Sequence, residues 1–191
     1  MSMCLAACGA AGPSGDDPPE VPRGWTRYTE QHGLFDVALP PRSSLAQEAF
    51  PGAVDSYWYW SPELGGGTFS VALGDARPDP IDTYLASERS RPGASVDVDA
   101  DDVVSWRGTR ARHLRVDTDY QTQGSLDVDP STGLTHHVEA GDVHETADFH
   151  LWRGRTKAIR VGYRVERDAE SSVERTFIAM VESFRLRRPL P

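Results

Sequence analysis

Residues 136–150, HHVEAGDVHETADFH, hold four of the chain's six histidines together with four carboxylates. No other stretch brings so many possible ligands and proton carriers so close together. Imidazole nitrogens and carboxylate oxygens are the ligands Zn²⁺ accepts when no thiolate is offered. If Glu139–Asp142 form a four-residue hairpin loop, Val138 pairs with Val143, and Leu134, Val138, Val143, Ala147, Phe149 and Leu151 share one face. His137 then meets His144 across the strands with Cβ atoms about 5 Å apart. His150 and Asp148 follow along the same face, and Glu139 stands at the loop. Two cross-strand imidazoles and a carboxylate could hold Zn²⁺ with an open position, and the candidate ligands are His137, His144, His150 and Glu139. It competes with a simpler reading, a sheet face that is merely rich in histidine or is covered by a helix.

Other segments carry less chemistry. DVDADD (97–102) opens like a calcium loop, but Asp102 stands where glycine is needed and Gly108 where the closing glutamate is needed. DVDPSTG (127–133) likewise lacks its closing glutamate. Valine alternating with aspartate also describes a solvated edge strand, where charge discourages strand addition. SYWYWSP places Tyr57 and Tyr59 on one face of a strand and Trp58 and Trp60 on the other, as core or as an anchor for a ligand or partner. Arg107, Arg110, Arg112, Arg115, Arg153, Arg155, Arg160 and Arg164 crowd the hairpins of the second half, either as a solvated face interleaved with acids or as a docking surface for acidic groups. Gly-x-Ser-x-Gly and His-Glu-x-x-His are both absent, and GGGTFS (65–70) leads into a strand rather than a helix. No catalytic set is thereby identified, and a hydrolase remains only as a third reading.

Charge and cysteine usage narrow the setting. The net charge is −9; residues 1–102 carry 6 basic and 16 acidic side chains, residues 103–191 carry 14 and 13. An acidic chain repels phosphate backbones, so nucleic acid is not an expected partner. Of the 20 basic residues 19 are Arg, with Lys157 the single Lys. Cys4 and Cys8 are the only cysteines, so residues 23–191 can have no disulfide, thiolate metal site or thiol nucleophile. Leu5-Ala6-Ala7-Cys8-Gly9 resembles the lipobox of bacterial lipoproteins, although only seven residues precede the cysteine and none is basic. Residues 1–7 are read as the remnant of a signal and Cys8 as the lipidation site, its acyl chains giving attachment to a membrane in the extracytoplasmic cell envelope. Residues 8–22, rich in Gly, Pro, Ser and acid, read as a flexible tether.

From residue 23 onward period-two patterning between turn residues predicts antiparallel strands. Two helices interrupt them. DPIDTYLASERSR (79–91) has Asp79 as N-cap, Pro80 at the first position, and Ile81, Tyr84, Leu85 and Glu88 at helical spacing. The segment from Asp168 carries Val173, Phe177, Met180, Val181 and Phe184 as an apolar stripe. In RTKAIRVGYRVERD, Ile159, Val161, Tyr163 and Val165 should be buried, with Arg160, Gly162 and Arg164 on a polar face. The expected class is α+β, one domain over residues 23–191 on an antiparallel sheet of about 7–9 strands flanked by helices.

The opening GWTRY…GLFDVALP, the mid-chain helix, and paired strands followed by ERTFIAMVESFRL with its Ser183-Phe184-Arg185 step resemble the PsbP-like superfamily of photosystem extrinsic proteins and bacterial lipoproteins. The resemblance implies an α/β/α sandwich and a non-enzymatic binding or assembly role, with no shared catalytic residues. The expected function is that of a lipid-anchored envelope lipoprotein that binds an unknown protein partner. The alternative is a lipoprotein binding a small ligand or Zn²⁺, and no other cofactor is expected.

Overall fold

A computed structural model describes residues 21–41, 43, 45–48, 55–59, 67–106, 109–128, 135–167, 169 and 171–191. Cys4, Cys8, the tether up to residue 20, Trp60 and Asp168 lie outside the described residues.

Seven strands form the main sheet: β3 (Ala46–Glu48), β4 (Asp55–Tyr59), β5 (Gly67–Asp75), β6 (Ser95–Trp106), β7 (Thr109–Val128), β8 (Thr135–Arg153) and β9 (Lys157–Glu166). They are ordered β3-β4-β5-β9-β8-β7-β6, with every neighbouring pair antiparallel. A smaller sheet, β1-β2-β10, joins Thr26–Thr29, Phe35–Leu39 and Arg185–Leu186. Helix α1 (Pro80–Arg89) covers one face of the main sheet and α2 (Ser171–Ser183) the other. The α+β class, the antiparallel sheet and the two flanking helices are thus as the sequence implies.

Each helix forms for a local reason. The Asp79 carboxylate accepts a hydrogen bond from Ile81 N–H at 2.9 Å, and Pro80 takes the first position, where no N–H is needed. Ile81, Tyr84 and Leu85 then bury against Leu114, Val116, Ala147, Phe149 and Leu151. The α2 stripe packs Val173, Phe177, Met180 and Val181 onto Phe69, Val71, Ile159, Val161 and Val165, with Phe35 and Val37 of the small sheet closing this core. The Ser-Phe-Arg step explains how the chain leaves α2. The Ser183 hydroxyl donates to Met180 C=O and accepts from Ala38 N–H, at 2.7 and 2.8 Å. Phe184 packs on Phe35 and Trp152, and Arg185 enters the small sheet opposite Asp36.

Two expectations need correction. Residues 139–142 are not a hairpin loop. β8 runs unbroken through them, with Ala140, Gly141 and Asp142 laddered to Gln123, Thr122 and Gln121, and the β7–β8 pair extends to Val128 and Thr135. Gly141 has no positive φ, so Gly-Asp here is strand, not turn. Nor is the Arg160–Gly162–Arg164 side of β9 solvated, since α1 and its core cover it. By contrast, residues 97–102 lie in β6, at the sheet edge, with a bulge between Val98 and Ala100.

Candidate functional site

The long β7–β8 register decides which histidines meet. His113 of β7 stands opposite His150 of β8, and Arg115 opposite Asp148. Alternation puts all four on the α2 side, at the edge of the core around Trp152. The His113 and His150 rings stack with centroids 4.7 Å apart and planes 22° from parallel. Trp106 lies on His150 at 4.4 Å.

Carboxylates and cations surround the stack. His113 Nε2 lies 3.1 Å from Asp148 Oδ1, and His113 Nδ1 lies 3.3 Å from Asp102 Oδ1 on the edge strand. Arg115 reaches Asp148 Oδ2 and Glu174 Oε1, both at 3.5 Å, and the Tyr163 hydroxyl donates to the same Glu174 oxygen at 3.2 Å. Burial raises the Tyr163 hydroxyl above its ordinary range, and Asp148 and Glu174 add to the effect.

His150 is the exception in this network. It is 8% exposed, its Nδ1 has no hydrogen-bond partner, and the nearest carboxylate oxygen, Asp148 Oδ1, is 3.9 Å away. Burial pushes its imidazole down to about 4 against the pull of Asp148, with His113 adding to the depression. The unfolded chain therefore binds a proton here between about pH 6.5 and 4 that the folded chain refuses. The domain is expected to lose up to about 3 kcal/mol as the pH falls through that window. Urea unfolding at pH 7 and pH 4.5 measures the loss, and His150→Phe, which keeps the aromatic stack, should shrink it. Equal pH slopes in the two proteins would refute the assignment.

One ligand atom each from His113, Asp148 and His150 can be chosen so that all lie within 4.8 Å of one another. This is the one cation-sized trio among the described residues. Of the four residues expected to bind Zn²⁺, only His150 belongs to it. His137 and His144 share a strand seven residues apart, a separation of about 24 Å at the usual strand rise. His144 is exposed and lies 2.8 Å from Asp119, whose carboxyl is held low by that bond and by Arg167. His137 is placed opposite Leu126, and Glu139 lies in the same strand. The sequence reading missed His113. Its place in a period-two strand was visible, but its partner follows only from the true reversal, beyond Val128 rather than at Glu139.

The other candidates sort as follows. Tyr57, Trp58 and Tyr59 occupy β4, opposite Val71, Ser70 and Phe69. Four of the seven described arginines pair with carboxylates: Arg115 as above, Arg112 with Asp79, Asp82 and Asp101, Arg153 with Asp79, and Arg164 with Glu88 and Glu145. The carboxylates at 99, 101 and 102 face Arg115, Arg112 and His113, as befits an edge strand rather than a calcium loop.

No protein-family model matches the chain, and no curated protein matches it in sequence. The solution structure of cyanobacterial PsbP (CyanoP) from Synechocystis sp. PCC 6803 superposes with a TM-score of 0.53 at 14% identity, covering 95% of this chain and 98% of that one. The chain has a PsbP-like fold. A crystal structure from Bacteroides thetaiotaomicron aligns more weakly, at 11% identity over 86% of this chain and 49% of that one, with a TM-score of 0.41. The PsbP-like fold sets the two helices and the sheet between them. At 14% identity the likeness extends to the fold alone, and the His113–Asp148–His150 cluster stands on this chain's own residues.

Proposed function

We propose that this protein is a non-enzymatic accessory lipoprotein, held to a membrane outside the cytosol by acyl chains on Cys8, whose PsbP-like domain acts by binding a protein partner. The supporting observation is the state of its most reactive-looking cluster. His113, Asp102, Asp148, Arg115, Glu174 and Tyr163 are engaged with one another, and the remaining imidazole, His150, is a weak base shielded by Trp106. A general base is most effective near the working pH and within reach of a substrate proton. His150 meets neither condition. The similarity to cyanobacterial PsbP supports the fold component of this reading.

In its native host, Cys8→Ser is expected to move the protein from the membrane to the soluble fraction, because two or three chains anchor stably where none does. Intact-mass analysis of wild-type material should find residues 1–7 absent and acyl chains on Cys8. An unmodified N-terminus would refute the anchor. Turnover of an ester, phosphate or peptide substrate that His113→Ala abolishes would refute the non-enzymatic reading.

A second reading, a divalent-cation site on His113, Asp148 and His150, is favoured by the unpartnered buried Nδ1 of His150. Two imidazoles and one carboxylate suit Zn²⁺ with a position left open. If the site is real, calorimetry should find Zn²⁺ binding that His150→Phe weakens at least tenfold. Absence of binding by the intact protein would end this reading.

A further inference from the structure

Arg160 differs from the other arginines of the second half. It projects from β9 toward α1, its guanidinium 4.7 Å from the Phe149 ring centre and 5.2 Å from that of Tyr84. Its Nε is buried without a hydrogen-bond partner, and no carboxylate among the described residues pairs with it. Burial presses the guanidinium below its usual range, and Arg164 adds repulsion. The one carboxylate that acts on it, Glu88, is already taken by Arg164 and Arg91. A cation left without a counter-ion in apolar surroundings is costly unless something outside the chain supplies the charge.

The same side chain lines a groove of about 390 Å³ between the first half of α1 and strands β5 and β9. That volume lies within the range of small-molecule sites, which are mostly apolar with a few placed polar groups. Ala72, Gly74, Pro80 and Ala158 supply apolar wall. Arg77, exposed at the mouth, is a second cation on the lining, whereas the one acid there, Asp75, is held by Lys157 Nζ at 2.8 Å. A Cβ built on Gly74 would meet no atom within 4 Å, so the floor at that point is open.

We infer that this groove binds a small anionic amphiphile, its carboxylate or phosphate head on Arg160 and its short apolar chain along Ala72, Gly74, Pro80 and Ala158. An oxyanion suits the fork of a guanidinium, and the burial of Arg160 Nε reduces the screening of the pairing. The inference deepens the binding role proposed above by adding a ligand class to it. It rests on that reading only in treating the domain as a binder, and its failure would leave the Cys8 experiment untouched.

Octanoate and octyl phosphate serve as probes, with octanol as the uncharged control, titrated calorimetrically into the full chain. Wild type is expected to bind at least one of the two anions, and octanol at least tenfold more weakly. A preference between the anions distinguishes a fatty-acid-like head from a lipid-phosphate-like one. Arg160→Met keeps the apolar stem and removes the charge, so it should weaken anion binding at least tenfold with no fall in Tm. Gly74→Phe fills the groove while keeping the Arg160 charge and should weaken both probes equally. Failure of wild type to bind either anion, undiminished binding by folded Arg160→Met, or octanol binding as tightly as octanoate would each overturn the inference.

Discussion

Glu88→Ala is expected to lower the stability of the domain by about 3–5 kcal/mol, the cost of breaking a buried ion pair by removing one partner. Glu88 is 2% exposed on the inner face of α1. Its Oε1 accepts from Arg164 Nη2, and its Oε2 lies 3.1 Å from Arg91 Nε. Glu145 completes the square, 3.2 Å from Arg164 and 3.5 Å from Arg91. Burial raises the Glu145 carboxyl, a rise the two arginines restrain. Without Glu88, two arginines share one carboxylate under the helix, with the like charge of Arg160 close by. For a domain of this size each kcal/mol is worth about 2–4 °C, so Tm should fall by roughly 6–20 °C. The double replacement Glu88→Leu with Arg164→Met removes both charges and should recover most of the loss. A single replacement costing under about 1 kcal/mol by urea unfolding would show that the network adds little.

The position of Glu88 was legible in the sequence, but its partners were not. Spacing places it on the stripe of Ile81, Tyr84 and Leu85, and the Asp79-Pro80 signal sets where that helix begins. The α2 stripe and the edge-strand pattern of 97–102 are legible for the same reason, since each depends on residues a few positions apart. What failed is whatever depends on pairing across the sheet. Glu-Ala-Gly-Asp carries turn chemistry, yet a ladder continuing on both sides of it overrides that preference, as tertiary context commonly does. That one misplaced reversal moved every cross-strand partner. It joined His137 to His144 and hid the meeting of His113 with His150. The arginines of β9 show the related limit. Alternation correctly puts Arg160 and Arg164 on one face, but cannot tell that a helix lies over it, leaving one cation paired and the other without a counter-ion among the described residues.

Gly162→Ala should be as damaging as the loss of Glu88, through shape instead of charge. Gly162 lies mid-strand in β9, opposite Phe149 on one side and Ser70 on the other. A Cβ there would collide with the Asp148 carbonyl oxygen and the Phe149 ring, and would sit 2.7 Å from Phe149 Cα. Two of these three obstacles are backbone of a central strand, which cannot retreat without opening the β8–β9 ladder. The expected loss exceeds about 3 kcal/mol, the upper end for an overpacked core. The same residue links the two sides of the sheet. Phe149 belongs to the α1 core beside the Arg160 groove, while the side chain of Asp148 points to the His113 stack. Retreat of the β8 backbone would therefore disturb both candidate sites, moving the His113 and His150 ring resonances along with Tm. Gly74→Ala on neighbouring β5 is the control: with nothing within 4 Å of the added carbon, it should leave stability within about 0.5 kcal/mol of wild type. Similar Tm values for the two variants would mean that the close approach of β8 to β9 at Gly162 is not a constraint on the fold.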